Sequence, residues 1–285
     1  MARWILLMIG CSYGLLVQGQ QTLRPNLYGP GQALNYYNTA AGLPDTTTRH
    51  SLLLYGQYKS VDSDVWSKPV TVFANYIGQL KNQAGFYSVG YLNDSYSFYT
   101  RQTLYTGYTQ QVRVLGRRTL SVGVRAVFNL DRIRWKDWQL PGRSGTDSHF
   151  GPDLDVGVAY QGNHLALGLS AKNLLGNTVH YDGEVLLTNQ RELYLSLSYG
   201  FLLGRQVTIA PFALIRLERN LDADLGAYVE LFRRVSVGYQ FRVWELRSIY
   251  RLAVNPYKGF RLGISYDQSL VHRDHNLDAL IGYGF

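Results

Sequence analysis

Leu221-Asp222-Ala223-Asp224-Leu225-Gly226-Ala227-Tyr228-Val229-Glu230-Leu231 repeats every second residue. Leu221, Ala223, Leu225, Ala227, Val229 and Leu231 fall on one side, and Asp222, Asp224, Gly226, Tyr228 and Glu230 on the other. A helix of period 3.6 would scatter both sets, whereas a strand gathers each on one face. Three acidic residues then share a surface opposite a continuous apolar one.

The same rhythm flanks this stretch. Val235, Val237, Tyr239, Phe241 and Val243 oppose Ser236, Gly238, Gln240, Arg242 and Trp244. Phe260, Leu262, Ile264 and Tyr266 oppose Arg261, Gly263, Ser265 and Asp267. Leu193, Leu195 and Leu197 oppose Glu192, Tyr194, Ser196 and Ser198, and Leu165, Leu167 and Leu169 oppose Ala166, Gly168 and Ser170. Fourteen such runs cover 49–58, 69–78, 82–93, 102–113, 118–130, 153–161, 163–173, 190–202, 204–216, 221–232, 234–244, 247–254, 259–268 and 276–285. Each is about ten residues long, the length a tilted strand needs to cross a bilayer. Soluble strands average about half that. The expected fold is all-β: a transmembrane antiparallel β-barrel of about 14 strands, apolar outside and polar inside.

Arg125, Lys172, Arg242, Arg251 and Arg261 share the polar face with Asp155, Glu192, Asp222, Asp224, Glu230, Asp267 and Asp278. Against lipid, each Arg or Lys near the midplane would cost ~2–4 kcal/mol, so these charges belong in the lumen. Their mixed signs predict ion pairs across it rather than a wide channel selective for one ion. Connections alternate long and short: Ser60–Lys68, Asp94–Arg101, Asp131–Pro152 and Leu174–Asn189 are long, with short links between them. Outer-membrane barrels have short periplasmic turns and longer outer loops. An even strand count then puts both termini in the periplasm.

Composition excludes other classes. The 285 residues include 29 Gly, 23 Tyr and a single Cys, with 14% aromatic and 17% charged residues. That is too aromatic for disorder and too poor in cysteine for a disulfide scaffold. The longest apolar run, Trp4–Val17, has fourteen residues, short of the ~20 a membrane helix needs. Behind Arg3 and ahead of Gln18-Gly19 it reads as a signal peptide over residues 1–19, with Val17 and Gly19 at the −3 and −1 positions. Residues 20–48 do not alternate and are rich in Asn, Tyr, Gly and Pro. They are expected to be an irregular periplasmic segment that folds under or into the mouth of a barrel spanning 49–285, and so to plug it; disorder is the alternative. The closing stretch Ala279-Leu280-Ile281-Gly282-Tyr283-Gly284-Phe285 matches the terminal strand of an outer-membrane barrel.

Chemistry-bearing motifs are sparse, and no catalytic, metal-binding or cofactor-binding residue is assigned. Gly168-Leu169-Ser170-Ala171-Lys172 is no nucleophile elbow, because its Ser lies mid-strand and its fifth residue is Lys. His272-Arg273-Asp274-His275 reads as exposed loop rather than a metal site, and His50, His149, His180 and His272 near a rim form no visible triad. The net charge of +8 suits lipid phosphates or an acidic partner. Its basic residues are too dispersed for nucleic acid. Tyr36, Tyr37, Tyr55, Tyr58, Trp66, Trp135, Trp138 and Trp244 fall near strand ends or in loops, where amphipathic rings would form interfacial girdles.

Over most of its length the chain resembles the PorP/SprF family of the type IX secretion system of Bacteroidota. Ala33-Leu34-Asn35-Tyr36-Tyr37-Asn38-Thr39-Ala40-Ala41-Gly42 corresponds to the family's early segment, here without a Pro after Asn35 or Asn38. Gly168-Leu169-Ser170-Ala171-Lys172-Asn173-Leu174-Leu175 matches its Gly-Leu-Ser-x-x-Asn-Leu-Leu stretch, and Gly-Tyr-Gly-Phe its closing strand. The resemblance implies a non-enzymatic outer-membrane barrel that assists secretion or surface anchoring of specific cargo, such as large adhesins with a C-terminal sorting domain. It also implies contact with periplasmic secretion or gliding components; outer-membrane lipid is the other expected partner. It transfers no partner-binding residue. The outer loops, chiefly Asp131–Pro152 and Leu174–Asn189, or the periplasmic face are expected to carry partner contact, so that truncating Asp131–Pro152 should spare folding. A small-solute channel of the same class and an exported carbohydrate-binding β-sandwich are the alternatives.

Overall fold

The computed structural model describes residues 34–42, 48–60, 69–81, 84–96, 98–115, 118–135, 145–181, 184–204, 206–218, 220–271 and 274–285. The signal-peptide stretch, Trp66, Trp138, His272 and Arg273 lie outside these residues.

One helical turn, α1 (Leu34–Tyr37), precedes the strands β1 (His50–Ser60), β2 (Val70–Gln79), β3 (Gly85–Tyr96), β4 (Tyr99–Leu115), β5 (Arg118–Arg134), β6 (Thr146–Gln161) and β7 (Leu165–Lys172). A separate hairpin follows, β8 (Thr178–Tyr181) and β9 (Glu184–Thr188). The wall resumes with β10 (Glu192–Tyr199), β11 (Phe201–Leu203), β12 (Val207–Leu217), β13 (Leu221–Leu231), β14 (Val235–Arg242), β15 (Arg247–Tyr257), β16 (Phe260–Ser269) and β17 (His275–Gly284). Neighbours in sequence pair antiparallel around the wall, β1 joins β17, and β10 joins both β7 and β12. Since β10 and β11 pair with β12 in one register across Gly200, they form a single barrel strand. The result is a closed barrel of fourteen strands, and each of the fourteen alternating runs overlaps one of them.

The faces follow the alternation. Leu195 and Val237 are 46% and 51% exposed, and Leu167, Leu169, Leu193, Leu197, Leu225 and Ile264 also face outward. Arg125, Asp155, Glu192, Asp222, Asp224, Arg242, Asp267 and Asp278 are buried inside.

One side of the barrel is tall. β4 and β5 have 17 residues each and β6 has 16, against eight in β7, β10 and β14. At a rise of ~3.4 Å per residue such strands run ~55 Å, well past an apolar band ~25 Å high even when tilted ~40°. This corrects two expected loops. Asp94–Arg101 is almost all strand, leaving only residues 97–98 between β3 and β4. Asp131–Pro152 is strand at both ends, and only residues 135–145 connect β5 to β6. The overshoot lies at the barrel end away from His50 and Phe285. That distal end also has the longest connections, residues 61–69, 135–145 and 173–191.

Candidate functional site: the filled lumen

The inward face is partly apolar on the β1–β5 side. Leu53, Tyr55, Phe73, Leu92, Tyr105 and Val127 line it, joined by Tyr194, Phe212 and Leu214, and Tyr36 and Tyr37 pack into this cluster. Tyr36 meets Phe73 edge-on at 5.4 Å between centroids, and Tyr37 lies 5.4 Å from Tyr194. Residues 34–42 therefore run through the barrel interior, with Asn35, Tyr36, Tyr37, Asn38, Thr39 and Ala40 all buried.

Polar contacts hold this segment from four successive strands. On β5, Arg125 donates through Nη2 to the carbonyl oxygen and to Oδ1 of Asn35, and through Nη1 to the carbonyl of Tyr36. The same guanidinium lies 4.2 Å from the Tyr105 ring centroid and 3.8 Å from Asp155 Oδ2. On β4, Thr109 Oγ1 donates to the Thr39 carbonyl at 2.8 Å. On β7, Ser170 Oγ donates to the Tyr37 carbonyl at 2.6 Å, and Lys172 Nζ sits 4.0 Å from the Tyr36 ring centroid. On β6, the Val158 carbonyl accepts from Asn38 Nδ2 at 3.0 Å. Four buried carbonyls that a non-sheet segment would otherwise leave bare, those of Asn35, Tyr36, Tyr37 and Thr39, are thus satisfied by the wall.

Glycines make the room. A Cβ at Gly157 would lie 2.1 Å from Asn38 Oδ1, one at Gly168 2.6 Å from Asn38 Nδ2, and one at Gly123 2.7 Å from the Thr39 carbonyl carbon. Gly123 and Gly157 are register partners on β5 and β6. Two of the three stretches that carry the family resemblance thus meet each other inside the barrel. Gly168, Ser170 and Lys172 form part of the cradle, and Asn35 to Ala40 lie in it. The rest of the second stretch shapes the exit from β7. Asn173, with φ of 56°, turns the chain, its amide donates to Asp155 Oδ1, and the Leu175 amide donates to Asp153 Oδ1.

Towards the distal end the lumenal wall is lined by ion pairs between neighbouring strands. Arg101 Nε lies 2.7 Å from Asp131, which Tyr99 also donates to. Arg242 reaches Asp224 and Glu245, each at 3.2 Å, and Arg247 reaches Asp267 at 2.6 Å and Asp274 at 2.7 Å. Arg216 bridges Glu218 at 3.2 Å and Glu192 at 4.0 Å. Gln240 and Asn276 donate to Asp224 and Asp267, completing a belt in which opposed charges are paired and further hydrogen-bonded. The mixed signs of the sequence are thus paired along the wall, between adjacent strands, rather than across the lumen as expected.

The interfacial girdle assigned from sequence needs correction. Tyr58 and Trp244 are exposed, but Tyr36, Tyr37, Tyr55 and Trp135 are buried. Tyr55 has the parity of Leu53 and Gln57, which point inward, while Leu52 and Leu54 point out. Trp135 donates its indole N–H to Asp147. Among the described residues no group of three or more His, Cys, Asp or Glu could hold a metal ion. In the His272–His275 loop, Asp274 pairs with Arg247 and His275 packs against Tyr266. His50 stacks on Phe285 and accepts or donates at Tyr76, and the side chain of His180 lies outside the described set.

A closed transmembrane barrel with an internally held N-terminal segment is an outer-membrane architecture. The barrel of the Pseudomonas putida toluene transporter TodX superimposes with a TM-score of 0.56 at 12% identity, covering 89% of this chain and 93% of that one. Acinetobacter baumannii Omp33 gives 0.53 at 12% identity, over 83% and 98%. A Pseudomonas aeruginosa FadL homologue gives 0.53 at 8% identity, over 92% and 96%. These likenesses establish the fold alone. No curated protein sequence matches the chain. The family described as "Type IX secretion system membrane protein PorP/SprF" matches residues 33–277, and the chain belongs to it. It is an outer-membrane barrel of the type IX secretion system.

Proposed function

We propose that this barrel is a non-enzymatic accessory that helps secrete specific cargo proteins or anchors them at the surface, large adhesins with a C-terminal sorting domain being one class. Its short-turned terminal end faces the periplasm, where secretion or gliding components contact it, and its tall distal end faces outward. The observation that carries this reading is the filled lumen. Residues 34–42 are held by Arg125, Thr109, Ser170 and Lys172, and an ion-pair belt lies beyond them. An interior so occupied favours docking on the outside of the barrel over passage of solute through it, and family membership supports a secretion role.

The test compares the parent strain, a deletion strain and a complemented strain by surface proteomics and small-solute uptake. Loss of particular surface proteins with unchanged uptake is the expected outcome. Normal surface proteins with impaired uptake would instead establish a channel.

A further inference from the structure

We propose that the open edge of β6, from Thr146 to Phe150, takes up an extended segment of the cargo polypeptide as an added strand. The inference rests on the function proposed above and names the site and mode of docking.

β6 pairs with β5 along its whole length, from Gln161 to Thr146, but with β7 only from Gln161 to Val156. The wall stops there for a local reason. Pro152 has no N–H to give a continuing β7. The next stretch of chain caps the edge instead: the Leu174 amide donates to the Leu154 carbonyl at 3.0 Å, and Asn177 Nδ2 donates to the Pro152 carbonyl. In an antiparallel strand alternate residues send both N–H and C=O to the same side. Leu154 and Pro152 point to the β7 side, so Phe150, Ser148 and Thr146 do too. Beyond the Asn177 cap these three residues have no hydrogen-bonding neighbour on that side among the described residues.

Natural edges are usually blunted by a Lys, a Pro, a bulge or a covering loop. Thr146-Asp147-Ser148-His149-Phe150-Gly151 has no Lys or Pro, and its pairing to β5 has no register shift. Among the described residues the nearby β8–β9 hairpin forms a sheet only with itself. The edge is also held from behind. Trp135 is bonded to Asp147, and Arg101 and Tyr99 hold Asp131 behind it.

Its chemistry selects the occupant. Thr146, Ser148 and Phe150 are exposed, Phe150 to 67%, and the Phe150 ring stacks on Phe128 at 6.2 Å. Arg132 and Arg134, register partners of Ser148 and Thr146, are exposed on the same outer face. Two outward arginines put this part of the wall beyond the apolar band. The incoming segment is therefore extended, supplies alternating backbone donors and acceptors, sets an apolar side chain beside Phe150, and carries acidic residues towards Arg132 and Arg134.

Proline scanning tests it in the native bacterium. The Ser148 amide faces away from β5, so Ser148→Pro removes an edge donor and leaves the β5 ladder intact, and Ser148→Ala is the control. The probe is the set of surface proteins that a deletion strain loses. Expected: the Pro variant assembles as a heat-modifiable barrel and sheds those proteins into the medium, while the Ala variant keeps them on the cell. Should the Pro variant fail to assemble, Ser148→Cys labelled on intact cells with a bulky maleimide blocks the edge after folding and must release the same proteins. Full retention in the assembled Pro variant or the labelled Cys variant overturns the proposal. A deletion strain that loses no surface protein removes the underlying function instead. Release only when residues 178–188 are also deleted would show that the chain's own hairpin, not cargo, occupies the edge, and would likewise overturn it.

Discussion

Arg125 donates to the backbone carbonyl of Asn35, ninety residues earlier in the chain. This guanidinium also serves the Asn35 side chain, the Tyr36 carbonyl, the Tyr105 ring and Asp155. Hydrogen bonds to charged groups are worth ~1.5–3 kcal/mol each, and stripping one partner from a buried pair costs ~3–5 kcal/mol. Arg125→Leu therefore releases the segment and leaves the Asp155 carboxylate without its guanidinium. Planar-bilayer recordings are expected to be silent for the parent and to show frequent openings for the variant. A silent R125L barrel would mean that the ion-pair belt closes the lumen unaided.

Gly157 sets a second, purely steric condition. Its backbone is not in the left-handed region, so alanine fits the strand, and the three atoms nearest the added methyl all belong to the filling segment, Asn38 Oδ1 lying at 2.1 Å. Overpacking of this kind costs ~1–3 kcal/mol. Gly157→Ala should leave heat-modifiable folding intact and make residues 34–42 accessible to protease. Asn38→Ala removes the clashing atom, so the double variant should lose less than the two single changes added together. Strict additivity would show that Asn38 does not sit against Gly157.

The wall was legible because lipid imposes one rule on every spanning strand, and Leu221–Leu231 obeys it in eleven consecutive residues. The lumenal charges were legible for the same reason. What failed did so where that rule stops. Past Leu130, β5 continues as Asp131-Arg132-Ile133-Arg134, whose outward face is arginine instead of apolar residues, so a true strand reads as loop. Truncating from Asp131 would accordingly remove a lumenal ion pair, and a cut that spares the barrel is confined to 136–144. Aromatic chemistry was equally ambiguous. A ring with a polar tip suits a headgroup layer or a mixed polar and apolar lumen, and only the shared parity of Tyr55 with Gln57 separates the two. That Asn38 faces Gly157 and Gly168 has no signal in spacing, because the contact joins residues over a hundred positions apart.

The barrel's positive charge is also placed unevenly. At the terminal end Arg49, Lys81, Arg113, Arg118, Arg233, Arg234 and Lys258 are all exposed. Among the described residues the only acidic side chain on the strands near that rim is Glu230, which is half-buried on the inward face. At the distal end, Asp274, Glu218 and Glu245 are tied to arginines instead. The basic residues lie at the start of β1 and at or beside the β2–β3, β4–β5, β13–β14 and β15–β16 turns, together with exposed Phe232, Tyr257, Tyr283 and Phe285. That combination marks a headgroup layer. A ring of cations matches a plane of phosphates better than one docked protein. Basic residues near an anionic leaflet are worth ~1 kcal/mol each and are screened within about a Debye length. The purified barrel should resist heat better in phosphatidylglycerol than in phosphatidylcholine nanodiscs, and the difference should shrink as salt rises. Combining Arg233→Gln, Arg234→Gln and Lys258→Gln should abolish most of it, because these changes touch neither the lumen nor the strand ladders. Equal melting in both lipids would show that the ring is merely solvated.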